Sequence, residues 1–523
     1  MSATNLPASH PRGANAPHSR SATSGRYLNR AFVLLFAVIA PALLLVNLTT
    51  FPSPWFDEGL NLSTAATLAR HGVYALPDSA GARLLDPAIQ TGPLLIAPIA
   101  LIYRDLGVSL AVARVVVVVF AFGTLAAYVL LARRLAGGPA GLLAALLLLA
   151  GNSDPFTSFV PMARQALGEV AALGLILYGL WLWLRALGRP GQHTVELVVI
   201  GAAFGLAMAT KSQVLVVFPV AWSALCLADR LHYRRAGWRA FLIPGATAAG
   251  CVLGWYAAQR ALAGPELFAR NAAILREGFS LHIVGFAPRH VRNALGSLWR
   301  AGFVVWGLPG LLYGLWLARR RSAEGFRHAS LLCFVGCWLA WFTLCSIGWS
   351  RYAFLGLAPL PIWTAALLVD AGAGRLGGLA VPPRARLALA GALALALLAG
   401  NSRLTLGGVF GPQQTDYAAF ADYLRAAVPP GAVVETWEWD LDVAAPLRFH
   451  HPPTEVTNAV TEKMLSGAAR PVAYDPLAAN PAYLVDGPFS NWTGIYRDVI
   501  ARRCVPLRTI GRYTLYRVVP APR

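Results

Sequence analysis

Apolar residues run without a polar partner every second or every third to fourth position at Ala31 to Leu48, Leu110 to Leu131, Leu135 to Asn152, Leu167 to Leu184, Val195 to Ala209, Val214 to Leu227, Phe241 to Ala258, Ala301 to Leu317, Ser330 to Ser346, Ala353 to Val369 and Leu387 to Ala399. Runs apolar on every side predict membrane-spanning helices, about eleven of them. Several fall short of the ~20 residues a lone span needs, which suits helices whose ends are covered by protein inside a bundle. The segments between them are short except at 49–109 and 259–300, and long ordered loops in a compact protein are usually functional. In the first long loop, Asp57 to Arg70 has the composition of a short helix. Pro93 to Tyr103 is apolar but too short to cross, so it is expected to lie in the interface.

The ends of the chain read differently. Residues 1–27, rich in Ser, Ala, Pro and Arg, are expected to be a disordered cytoplasmic tail. From residue 402 onward the pattern alternates: helical spacing over Asp416 to Ala427, turn residues Pro429, Pro430 and Gly431, then β-rich runs at Ala432 to Val434, Tyr483 to Val485 and Tyr513 to Val519. A small α/β domain over 402–523 is predicted, beside a membrane module over 28–401.

Composition agrees with a bilayer as the main solvent, with 57% hydrophobic and 13% charged residues and a mean hydropathy of +0.54. The net charge of +20 is spread between apolar runs rather than gathered with aromatics, so no nucleic-acid partner is expected. Its distribution sets the orientation instead. With a cytoplasmic N-terminus the inner loops carry Arg133 and Arg134, Arg185 and Arg189, Arg230 to Arg239, Arg319 to Arg327, and Arg375 to Arg386, while the short outer turns carry only Arg164, Lys211 and Arg351. An odd number of spans then leaves the C-terminal domain outside the cytoplasm. The six cysteines form neither a disulfide framework nor a zinc spacing.

Candidate chemistry gathers at one depth. Asp57 and Glu58 follow the first span; adjacent helical residues diverge by about 100°, so one can face a cavity while the other holds local structure. The alternative is a pair of helix-start acids that favour the dipole and face water. Arg114 and Glu169 lie just inside the outer ends of their spans, where a structural ion pair between them competes with a role in a wet cavity. Lys211 and Arg351 each end a span and either snorkel or meet an anion. A carboxylate can take a proton from a hydroxyl while cations stabilise a departing phosphate, so this set fits group transfer from a lipid phosphate better than ion conduction.

Trp55-Phe56-Asp57-Glu58-Gly59, Thr91-Gly92-Pro93, Arg114, Thr210-Lys211 and Arg351-Tyr352 together resemble the GT-C superfamily of membrane glycosyltransferases, nearest the family 39 and 83 type. That type includes protein O-mannosyltransferases and the lipid A aminoarabinose transferase, and the resemblance covers about residues 30–370. It implies transfer of a sugar from a polyprenyl-phosphate donor to a glycan, lipid or protein acceptor outside the cytoplasm of a bacterial plasma membrane. Asp57 would be the base or acceptor-orienting carboxylate, with Glu58 supporting it. Lys211, Arg351 and Arg114 would meet the donor phosphate, with Glu169 and Tyr352 in support. Many relatives have Asp at the fourth-span site where this chain has Glu169. No protein metal ligands are assigned, although a divalent cation near the acidic pair stays open. The absence of a Gly-rich nucleotide loop and of an Asp-x-Asp motif fits a lipid-linked donor. Glu435-Thr436-Trp437-Glu438-Trp439-Asp440 has no chemical role assigned, and a transporter or an assembly protein are the competing classes.

Overall fold

In the computed structural model the described residues are 19–189, 193–377, 381–466 and 472–519. Most of the segment expected as a tail lies outside them, while its last residues already belong to the helix Ser19–Leu34. Among the described residues seven helices are long and apolar enough to cross a membrane. Two bent pairs, Pro288–Arg300 with Phe303–Ala318 and Ser350–Leu357 with Pro361–Gly372, raise the number to nine, and Thr194–Thr210 is a shorter apolar helix. The protein is an integral membrane protein.

One of the seven is two crossings in sequence terms. Leu110–Ala150 has 41 residues and as a straight rod would run about 60 Å, twice the ~30 Å hydrocarbon core. It breaks at Gly137 (φ 83), with Pro139 two residues on. The Arg133 backbone nitrogen lies 3.1 Å from where a Cβ on Gly141 would sit, so the chain turns back on itself there. The apolar pattern predicted a boundary between Leu131 and Leu135; the break falls just beyond it, at Gly137.

The first long loop carries the predicted helix, at Phe56–His71, with Asp57 and Glu58 in its first turn and Gly72 (φ 71) closing its end. Pro93–Leu106 is helical too, burying Leu95, Ile96, Ile99, Ala100 and Tyr103 while Leu101, Ile102 and Leu106 are exposed, the two-faced pattern of an interfacial helix. The second long loop is no loop: the helix Trp238–His282 continues through it past a kink at Gly264, and Pro288–Arg300 follows.

The C-terminal domain holds a five-stranded mixed sheet. Val433–Thr436 runs parallel to both Arg448–His450 and Tyr483–Asp486, and Tyr513–Val518 runs antiparallel to Tyr483–Asp486 and to Cys504–Ile510. Three of these strands and the helix Asp416–Ala427 match the expected runs; Arg448–His450 and Cys504–Ile510 carry too few alternating apolar positions to signal themselves. One side of the sheet has its own core of Phe420, Leu424, Val434, Leu441, Val485 and Leu515. The other shares a core with the first loop, in which Phe56 and Leu60 pack with Trp437, Trp439, Leu484 and Phe489. The approach is close enough to require Gly59, since a Cβ there would fall 2.2 Å from the Asp440 backbone nitrogen. The Glu435–Asp440 segment is therefore where the C-terminal domain docks onto the helix that carries Asp57.

Candidate active site

The adjacent acids Asp57 and Glu58 part company as helical geometry requires. Glu58 is fully buried and takes a two-pronged guanidinium: Arg114 Nε donates to Oε1 at 2.9 Å and Nη2 to Oε2 at 2.6 Å. The remaining Arg114 nitrogen donates to the Leu48 and Pro52 carbonyls at 2.6 and 2.9 Å, and the Ala166 N–H donates to Glu58 at 3.3 Å. The Arg114–Glu169 ion pair, the alternative to a cavity role, does not form: the partner of Arg114 is Glu58. Sealed at 0% exposure with its donors spent, Arg114 ties three segments together and does not reach a ligand. Neighbouring Arg164 does the same, donating to the carbonyls of Leu43, Val46 and Phe51.

Asp57 faces the other way. Its carboxylate accepts from Arg351 at 2.6 and 3.3 Å and from the Trp55 indole N–H at 3.0 Å, and its side chain keeps 34% of its surface open. Burial alone would push this carboxyl up; the Arg351 charge and hydrogen bonds outweigh it and hold Asp57 below the usual aspartate value. Behind Arg351 the charges alternate. Arg351 Nε lies 3.3 Å from Glu169, and Glu169 lies 2.9 Å from the Lys211 ammonium, which also donates to the Leu167 carbonyl at 2.9 Å. Asp57, Arg351, Glu169 and Lys211 thus form a neutral chain with its aspartate end exposed.

The Thr91-Gly92-Pro93 turn holds the inner end of that chain. Thr91 bridges to Lys211, the Gly92 N–H donates to the Thr210 carbonyl at 3.0 Å, and a Cβ on Gly92 would collide with the Ala209 carbonyl oxygen at 1.8 Å. Only glycine allows this approach. Tyr352, buried, stacks beneath Arg351, whose guanidinium carbon is 5.9 Å from its ring.

Asp57 and Arg351 open into a cavity of about 560 Å³ between the membrane helices and the C-terminal domain, lined also by Trp55, Tyr352, Arg83, Arg292, Arg300, Trp349 and Trp492. Such a volume lies within the ~300–1,000 Å³ of small-molecule sites. Of the residues expected at a site, Asp57, Arg351 and Tyr352 line it; Glu169 and Lys211 stand behind it, and Glu58 and Arg114 are structural neighbours. The sequence reading missed Arg83, Arg292 and Arg300. Arg292 and Arg300 had a signal, in a helix, Pro288–Arg300, with no acidic residue to balance its arginines.

Among the described residues no group of three or more His, Cys, Asp or Glu is gathered to hold a metal ion. Asp57 and Glu58 are each engaged by a guanidinium, an arrangement that does not fit a cation. In the C-terminal domain Glu438, buried, accepts from the Phe489 and Ser490 N–H groups at 3.1 and 2.8 Å. Burial and the nearby Asp440 push its carboxyl well above the usual glutamate range. It orders the segment on which Phe489 stacks against Phe56, with ring centroids 3.8 Å apart.

A helical membrane module with a small mixed sheet packed on its first long loop is a fold that solved membrane proteins share. The chain is similar in structure to ArnT from Cupriavidus metallidurans bound to undecaprenyl phosphate, with a TM-score of 0.60 at 15% identity over 93% of this chain and 97% of that one. The archaeal oligosaccharyltransferase AglB from Archaeoglobus fulgidus, in complex with an inhibitory peptide and a dolichol-phosphate, gives 0.61 at 12% identity over 91% and 71%. No protein-family model matches the sequence, and no curated protein matches it.

Proposed function

We propose that the chain is a glycosyltransferase that moves a hexosyl or pentosyl group from a polyprenyl-phosphate donor to an acceptor hydroxyl on the extracytoplasmic side of a bacterial plasma membrane. The observation that carries this reading is the Asp57–Arg351 pair, 2.6 Å apart, on the wall of a cavity large enough for a sugar and an acceptor. The fold it shares with proteins captured with undecaprenyl phosphate and dolichol-phosphate supports it.

The chemistry follows from the charges. The donor phosphate engages Arg351 from the cavity, with the Lys211 charge behind it, and takes the place of Asp57 on the guanidinium. Asp57, relieved of the cation that depresses it, keeps the burial that raises it and becomes a stronger base. The acceptor oxygen attacks the anomeric carbon as its proton passes to Asp57. The bond from that carbon to the phosphate oxygen breaks, and polyprenyl phosphate leaves with the electron pair, stabilised by Arg351 and Lys211. One displacement inverts the anomeric configuration. Arg114 has no part in these steps, and Glu58 serves only by fixing the helix that carries Asp57.

Counting the hairpin at Gly137 as two crossings, each bent pair as one and Thr194–Thr210 as a span would make eleven, and an odd count together with the inner-loop arginines supports an extracytoplasmic C-terminal domain. A transporter is not favoured, because the charged chain sits at span ends and not near a midplane site. The test is transfer of radiolabel from a lipid fraction of polyprenyl-phosphate sugars by the purified protein. Label appearing in a non-lipid-phosphate product, lost with Asp57→Asn, is expected; lipid flipping without transfer would return the transporter.

A further inference from the structure

The two sides of the cavity differ in kind. Among the described residues, the membrane module contributes the charged lining, namely Asp57, Arg83, Arg292, Arg300 and Arg351, whereas the twelve lining residues of the C-terminal domain are uncharged. That neutrality is a matter of facing. The helix Thr454–Ser466 carries Glu455, Glu462 and Lys463, yet it presents Thr454, Thr457, Asn458 and Thr461 to the cavity at helical spacing, with Val460 and Met464 beside them. Thr454 donates to Asp86 at 2.5 Å and Asn458 to the Ile274 carbonyl at 3.2 Å, which fixes this face against the membrane module. Trp492, 49% exposed, closes the rim with Trp349, their ring centroids 6.1 Å apart.

Hydroxyl and amide groups that both donate and accept, set beside flat apolar rings, match one ligand chemistry. A saccharide offers hydroxyls around its edge and C–H groups on its faces, and needs no charge to be held. A phosphorylated or acidic acceptor would call for arginine on this wall, and an extended peptide for an open strand edge. The edge strand Arg448–His450 contributes no lining residue.

We propose that the C-terminal wall of the cavity, built by Thr457, Asn458, Thr461 and Trp492, is an acceptor subsite for a neutral saccharide. It rests on the reading of the cavity as the meeting place of donor and acceptor, and gives that reading its acceptor class. The arginines across the cavity are left for the lipid-phosphate side.

The experiment uses the full-length protein in lipid nanodiscs on an array carrying neutral oligosaccharides, phosphorylated and uronic glycans, and Ser/Thr-containing peptides. Neutral glycans are expected to be retained. Trp492→Ala, and Thr457→Val with Thr461→Val, should each lower that retention at least tenfold while binding of undecaprenyl phosphate stays as in the parent. Retention of phosphorylated glycans or peptides alone, retention of nothing, or neutral-glycan retention indifferent to these variants each overturns the subsite. Failure to bind undecaprenyl phosphate would instead overturn the donor reading, so the two outcomes are read separately.

Discussion

Asp57 and Glu58 are consecutive in sequence, each is gripped by an arginine through two nitrogens, and the shortest contact in each pair is 2.6 Å. They differ in what surrounds the pair. Glu58 and Arg114 are both at 0% side-chain exposure, and every other contact of the guanidinium is to backbone carbonyls. Asp57 and Arg351 are at 34% and 11%, on a cavity wall. The same chemical pair is thus a rivet when sealed and an exchangeable contact when open, because only the open one can trade its partner for an incoming anion. The 100° turn between neighbours on one helix decides this division, and it is the one feature of the pair that adjacency in sequence announces.

The largest expected effect comes from breaking the sealed pair. Glu58→Ala leaves the Arg114 charge buried without a counter-charge, a loss of about 3–5 kcal/mol in comparable cases. The variant should fail to accumulate, or show a sharply lowered unfolding temperature in detergent, with activity lost alongside. If Glu58→Ala folds as well as the parent, the rivet interpretation is wrong. Breaking the open pair at the same depth should do the opposite. Asp57→Asn should leave the unfolding temperature within a few degrees of the parent while slowing single-turnover transfer at saturating donor at least about a hundredfold, within the 10²–10⁴ that general bases contribute. Near-normal transfer would take Asp57 out of the catalytic role.

How much of this was legible beforehand follows from what each feature needs in order to show itself. The spans and the docked helix appear in the sequence because periodicity is local, and even the break inside Leu110–Ala150 was marked by Gly137, Gly138 and Pro139. That Asp57, Glu169, Lys211 and Arg351 gather was also readable, from their places at the ends of apolar runs. Their pairing was not. Arg351 meets Asp57 across 294 positions, and Arg114 chose Glu58 over the equally deep Glu169. The threonine face of the helix Thr454–Ser466 had no signal, because threonines on a helix look the same whether they face water or a cavity. The Glu435–Asp440 segment stood out by composition, yet its use in docking depends on Gly59 permitting backbone approach.

The smallest effect sharpens the comparison most, because it runs against the usual direction for a binding-site mutation. In the proposed mechanism Asp57 and the donor phosphate compete for the same Arg351 nitrogens, so the carboxylate opposes phosphate binding even as it is needed for transfer. Asp57→Asn keeps the shape of the side chain and removes both the competitor and its charge. Two like charges a few ångströms apart at an effective dielectric of ~20 repel by several kcal/mol, and a net gain of about 1.4 kcal/mol is a conservative share of that. Binding of undecaprenyl phosphate, measured by titration in nanodiscs at neutral pH, should therefore tighten about tenfold in Asp57→Asn. Arg351→Ala should weaken it, and Glu58→Gln, if it folds, should leave it unchanged because the sealed pair never meets the lipid. Equal or weaker binding by Asp57→Asn would mean that Arg351 does not pass from carboxylate to phosphate, and the open pair would then be as fixed as the sealed one.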